Sequence, residues 1–182
     1  MAYPFQSPVT GRKDIPAGPG KLWKRISQER RAEASAAFWN DEEESVEQQA
    51  EALLAMATHF RFRPKTVRML PLDKKVRYLA SLPALSDSVA GRALVAYHLA
   101  HQRPMLSVFL DALGISHDNG VLKAEELKAP EADRLKEAAA TLRAAYPKDD
   151  VDLYFQTLLV QDPDTWGGLA DLLIDGEAEG QK

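Results

Sequence analysis

Apolar residues in this chain recur at steps of three and four, and prolines fall between the runs rather than inside them. Val46, Ala50, Leu53, Ala57 and Phe60 step by four, three, four and three, the spacing of one helix face. Pro64, Pro71, Pro83, Pro104, Pro130 and Pro163 each stand where one such run ends or the next begins. No segment alternates with period two, and no repeat of about 34–47 residues is present. The pattern predicts an all-α fold, a single compact irregular multi-helix bundle of about eight to ten helices.

The expected helices follow from the stripes and their caps. A first, about 21–39, carries Leu22, Trp23, Ile26, Ala34, Ala37 and Phe38. A second opens near Asn40 with Glu43 three residues on, a capping-box spacing. A short helix lies between Pro64 and Pro71, and the next bears Leu72, Val76, Leu79 and Ala80. Ser86 or Asp87 caps a helix with Val89, Ala93, Leu94, Tyr97 and Ala100. Pro104 starts one with Met105, Val108, Phe109, Ala112 and Leu113, ended by Gly114. These two read as a central hairpin, with Leu94, Tyr97, Val108 and Phe109 as core. After a loop at 114–122 come helices with Leu135, Ala138, Leu142 and Tyr146, and with Val151, Tyr154, Phe155, Leu158 and Leu159. Asp162-Pro163 announces the last, where Trp166 packs inward and Gly167-Gly168 admits a neighbouring helix.

The ends read differently. Residues 1–20 hold four prolines and three glycines and are expected to form a flexible arm; residues 21–174 form the single all-α domain, and 175–182 a flexible tail. A chain of 182 residues can bury a real core. It has no cysteine, which excludes disulfides, thiolate catalysis and cysteine-ligated metal. The segment MAYPFQSPVTGRK lacks the apolar stretch of a secretory leader, and the most apolar run, 93–113, is broken by His98, His101, Gln102, Arg103 and Pro104. A cytoplasmic protein with no membrane association is the default.

Charge is unevenly placed. Residues 1–110 carry 16 Lys+Arg against 11 Asp+Glu, a net +5; residues 111–182 carry 7 against 16, a net −9. Within the first part an acidic run, Asp41 to Glu44 with Glu47 and Glu51, precedes a basic one of Arg61, Arg63, Lys65, Arg68, Lys74, Lys75 and Arg77. Part of this follows from helix dipoles, which favour acids at the start of a helix and cations at its end. The basic run has three readings. It is a solvated face that neutralises the acidic helix, a docking surface for an acidic protein partner, or a phosphate-contacting surface for nucleic acid. Against the last, the helix expected over 72–82 has no Asn or Gln for base edges.

Motifs for chemistry are few. His98 and His101 share a helix face and, with His117 and Asp118, are the candidates for a metal site; neither HExxH nor Glu-x-x-His is present. The loop around Asn119-Gly120 has the glycine of a calcium loop, but Ile115 and His117 replace two oxygen ligands, so a tight turn is expected. Gly18-Pro19-Gly20-Lys21 lacks the rest of a phosphate loop. No catalytic or cofactor residue is assigned. The leading function is a non-enzymatic protein-interaction or regulatory module using the basic surface of residues 61–77. The alternatives are a nucleic-acid-associated protein using the same residues and a metal-dependent enzyme built on the histidines.

Overall fold

The computed structural model describes residues 15–123 and 126–178. Among them the chain runs α1 (Pro19–Arg25), α2 (Gln28–Asn40), α3 (Val46–Phe60), α4 (Pro64–Arg68), α5 (Leu72–Ser81), α6 (Asp87–His101) and α7 (Arg103–Leu113). There follow β1 (His117–Asp118), β2 (Val121–Leu122), α8 (Ala132–Ala145), α9 (Lys148–Gln161), α10 (Pro163–Trp166) and α11 (Leu169–Ala178). The all-α class holds, but the described residues form eleven helices, because two of the expected ones are each split in two.

The first expected helix breaks at Ile26-Ser27. Ile26 is extended, and the Ser27 hydroxyl accepts from the Arg30 backbone N–H at 3.2 Å, a local cap that outcompetes helix continuation. The last breaks at Gly167-Gly168, where a Cβ on Gly168 would lie 2.8 Å from Leu135 Cδ2 on α8. Gly168 therefore admits the neighbouring α8, while a Cβ on Gly167 would meet the Pro163 carbonyl of α10 at 2.9 Å, and Trp166 is buried beside them. At the other caps, Ser86 accepts from the Val89 N–H and Asp162 from the Thr165 N–H.

The start and the face of α3 differ from expectation. Asn40 ends α2 rather than opening α3, and residues 41–44 form a turn. Of the expected stripe, Ala57 is buried and Leu53 and Phe60 pack half-buried on the core, but Val46 and Ala50 are exposed; Ser45, Gln49, Ala52 and Met56 complete the inward side instead. The cause is polar: Gln49 Nε2 donates to the carbonyls of Phe38 at 2.8 Å and Asp41 at 3.2 Å, satisfying the end of α2. That anchor turns α3 about its axis, and a reading based on apolar residues does not see it.

The interior falls into two clusters. One gathers Trp23, Phe38, Met56, Val67, Leu79 and Leu94 from α1–α6; the other gathers Phe109, Leu110, Leu142, Phe155, Trp166 and Leu169 from α7–α11. The helices α6 and α7 are thus not a packed hairpin: α6 packs on α1, α2 and α3, whereas α7 pairs with α8. Leu94, Tyr97 and Phe109 are buried and Val108 is half-buried. The halves meet where α9 touches α6 and α1, and Leu153 of α9 belongs to the first cluster. An ion pair between Arg30 and Asp150, at 2.8 Å, ties α2 to the start of α9.

The loop 114–122 contains a minimal antiparallel hairpin, pairing His117 with Leu122 and Asp118 with Val121. Two-residue strands are too short for periodicity to register, but Asn-Gly is the strongest short-range hairpin signal. Asn119 and Gly120 both have positive φ, 49° and 87°. Gly120 is needed for a second reason: a Cβ there would sit 2.9 Å from Leu106 Cβ on α7.

The flexible arm expected over residues 1–20 lies mostly outside the described residues. Residues 15–20 lie inside them, and there Pro16, Gly18, Pro19 and Gly20 are buried. The Gly20 N–H donates to Asp87 Oδ1 at 2.9 Å, so these glycines serve close packing at the start of α6. The described chain carries α11 to Ala178; residues 179–182 of the expected tail lie outside it. No described helix is long and apolar enough to cross a membrane.

Candidate functional site

The basic run occupies the corner where α3, α4 and α5 meet. Phe60 and Phe62 turn inward against Tyr78, with ring centroids 4.8 and 5.6 Å away, and so Arg61 and Arg63 turn outward. The alternation of aromatic and cation in the sequence is thus a half-buried aromatic wedge with guanidinium groups on its rim. Arg61 takes a left-handed conformation, φ 55° and ψ 37°, and the Phe62 N–H closes on the Ala57 carbonyl at 2.9 Å, a Schellman cap with arginine where glycine is usual. Val67 pins α4 to the core, leaving Lys65 and Arg68 outside. On α5, Lys74, Arg77 and Ser81 lie i, i+3 and i+7 on the outward face. Lys75 is separate: it leans toward α2, its Nζ 5.8 Å from the centre of the Trp39 ring.

Two apolar side chains stand among these cations. Met69 is 76 % exposed and Leu72, expected on a buried face, is 47 % exposed. Met69 falls in the short connection between α4 and α5, outside any helical stripe, whereas Leu72 opens α5 in phase with its stripe but beyond the helices that cover it. Pro71 is the signal in hindsight: it occupies the N-cap of α5 and leaves Leu72 in the first turn, at the corner's edge.

Among the described residues no ion pair joins the acidic run to the basic one. Asp41 turns inward and accepts from Arg92 Nε at 3.1 Å and from the Ser45 hydroxyl at 2.7 Å. Burial raises its pKa, but those hydrogen bonds and the Arg92 charge outweigh it and hold the carboxyl below its usual value. Glu42, Glu43, Glu44, Glu47 and Glu51 face solvent. Among the described residues the basic run makes one ion pair, Arg77 with Asp73 at 3.7 Å, and both are exposed.

The histidines do not converge. Among the described residues no three of His, Cys, Asp or Glu are grouped to hold a metal ion. His98 is buried, with its Nε2 2.9 Å from Thr157 Oγ1 on α9; burial, reinforced by the Arg30 charge, pushes its pKa down to about 3, so the ring is neutral. His101 is exposed and tilted against Tyr97. His117 works inside the hairpin: Nδ1 accepts from the Gly120 N–H at 3.1 Å, which leaves the Nε2 proton to donate to Asp111 at 3.0 Å. Asp118 is exposed on β1.

A cavity of about 330 Å³ lies beneath the hairpin, walled by Val121 and Leu122 above, Leu106 and Leu158 at the sides, and Trp166 and His98 below. Its components are spread over α6, α7, α9 and α10, so no local motif marks it. The chain matches no protein-family model, and no curated protein or solved structure is significantly similar to it.

Proposed function

We propose that this protein is a non-enzymatic cytoplasmic docking module that holds an acidic, amphipathic segment of a partner protein against the α4–α5 corner. The observation that carries this reading is the exposure of Met69 and Leu72 inside a rim of cations that, among the described residues, have no ion-pair partner apart from Arg77. Apolar anchors supply affinity on desolvation, and a charged rim steers encounter and selects sign. The residues of the site are Arg61, Arg63, Lys65, Arg68, Lys74 and Arg77, with Met69 and Leu72 as anchors. Lys75 supports it through Trp39 rather than from the exposed face. The strained backbone of Arg61 fits the same reading, because glycine in that conformation avoids the steric cost that arginine bears.

Nucleic acid is the weaker reading for this surface. A helix–turn–helix needs two helices packed on one another, whereas α4 has five residues and packs on α3, and α5 packs on α2. Panning a random peptide library separates the readings. Selected sequences should combine Asp or Glu with apolar residues and lose binding to the Arg68→Glu/Lys74→Glu/Arg77→Glu variant and to Met69→Ser. Absence of acidic enrichment would overturn the proposal. So would tight binding of mixed oligonucleotides whose affinity falls steeply with salt and vanishes in the charge-reversal variant.

A further inference from the structure

The outward side of α3 carries a series whose charge changes sign from one end to the other. Glu43, Glu47, Ala50, Leu54, Thr58, Arg61 and Lys65 step by four, three, four, four, three and four, so the spacing reads the same in both directions about Leu54. All seven are exposed, Leu54 to 59 %. Steps of three and four keep residues on one side of a helix. Glu47, Ala50, Leu54 and Thr58 lie within α3 and Arg61 is its C-cap. Glu43 precedes the helix in the turn, and Lys65 follows on α4, which packs on α3. The opposite side of α3 is committed to the protein body through Ala52 and Met56. Helix dipoles favour acids at the start and cations at the end. They give no reason for a large aliphatic side chain to stand in solvent midway between the two.

A two-fold axis at Leu54 makes this series self-complementary. Two copies of α3 set antiparallel about that point place Leu54 against the partner's Leu54 and Ala50 against the partner's Thr58. Glu47 then meets the partner's Arg61 and Glu43 the partner's Lys65, and the symmetry repeats each pair. Ala50 and Thr58 are small, which lets the helix axes approach. Other alignments are poorer. Parallel helices would set acid against acid. An axis at Ala52 would bring Glu51 beside the partner's Glu51. With the axis at Leu54 those two carboxylates are separated by about 9 Å along the helices, at 1.5 Å per residue.

We infer that this protein forms a two-fold dimer in which α3 of one copy lies antiparallel on α3 of the other, the acidic start of each helix against the basic end of its partner. The inference rests on the docking reading of the basic corner and names its occupant, the acidic half of α3 in a second copy. That segment, with Glu43 and Glu47 beside Val46 and Leu54, has the acidic and apolar character the corner selects. The same patch serves both copies, so association stops at two. The 15 residues of α3 span about 22 Å, less than a standard interface needs, and the dimer is reversible.

Sedimentation equilibrium on the full chain, from about 1 μM to about 1 mM, should show monomer and dimer and nothing larger, with the dimer loosened by salt. Glu43→Lys/Glu47→Lys and Arg61→Glu/Lys65→Glu should each raise the dissociation constant at least about tenfold, because like charges then meet across the axis. An equimolar mixture of the two variants should recover the dimer, since each altered end faces an altered end and each native end a native one. The chain has no cysteine, so Leu54→Cys should give a single disulfide-linked dimer on mild oxidation, faster than Ala50→Cys, which lies a turn from the axis. A wild-type chain that stays monomeric throughout would overturn the inference, and this result needs no variant to fold. So would a dimer indifferent to both charge variants, a mixture that stays monomeric, or Leu54→Cys cross-linking no faster than Ala50→Cys. The corner reading is judged separately. Acidic peptides that bind the corner of a chain that never dimerises would keep that reading and overturn this one. A dimer rescued by mixing, with no acidic peptide selected, would do the reverse.

Discussion

Arg92 on α6 and Asp41 just beyond α2 form a half-buried ion pair that Ser45 completes: the Arg92 guanidinium reaches both Asp41 Oδ2 and Ser45 Oγ, and the Ser45 hydroxyl donates to Asp41. The three residues tie the end of α2, the start of α3 and the middle of α6 at one point. They also explain why the most acidic turn in the chain is ordered against the protein body.

The pair makes stability sensitive to acid. The folded-state pKa of Asp41 lies below its ordinary value of 3.8, so its contribution is present above that value and is lost as pH falls through the lower, folded one. Asp41→Asn keeps an acceptor but removes the charge from Arg92, and should cost about 1–2 kcal/mol at pH 7. Urea unfolding at pH 7 and below pH 3.8 measures it; the gap between wild type and variant should narrow in acid.

His98 gives a second, higher pH window. Its pKa falls from 6.5 in the unfolded chain to about 3 in the fold, so the unfolded state takes up a proton that the folded state refuses. Stability should be full above pH 6.5 and decline between 6.5 and about 3, at up to about 1.4 kcal/mol per pH unit. His98→Phe removes that slope while Thr157 keeps its bond to Leu153. Unfolding midpoints at pH 7.5, 6.0 and 5.0 for both proteins test it.

Arg61→Gly separates stability from docking. Glycine meets no steric penalty at φ 55°, and the gain should be about 0.5–1 kcal/mol. The same change removes a guanidinium from the rim, so affinity for an acidic peptide should fall while the melting temperature rises. Thermal denaturation together with peptide titration checks both signs.

Phe109 sits among three rings of the second cluster, with its ring centroid 5.6, 5.2 and 5.9 Å from those of Tyr154, Phe155 and Trp166. Phe109→Ala should cost about 3–5 kcal/mol. An unfolding midpoint within error of wild type would show that the aromatic group contributes little to the fold.

Helix class and most helix positions were legible because stripes and caps are local: Ser86, Pro104, Gly114 and Asp162 each act within four residues of their effect. The rotation of α3 was not, since Gln49 reaches across to Phe38 and Asp41, and an amide at helical spacing carries no apolar signal. Leu72 misled for a related reason: it keeps the stripe's phase, yet at the first turn of α5 the neighbouring helices no longer cover it. The basic residues of the corner were visible as a run. Their separation into an outward face, with Lys75 set apart over Trp39, needed the packing of α5 on α2. The cavity was out of reach, because its walls come from four helices and a hairpin that no spacing relates.

The bond from His98 to Thr157 crosses the seam between the two interiors. It acts as a clasp: separating α6 from α9 has to break it first, so amides on the two helices should exchange with solvent together. The seam is therefore where the two interiors hold together or come apart as one mechanical unit.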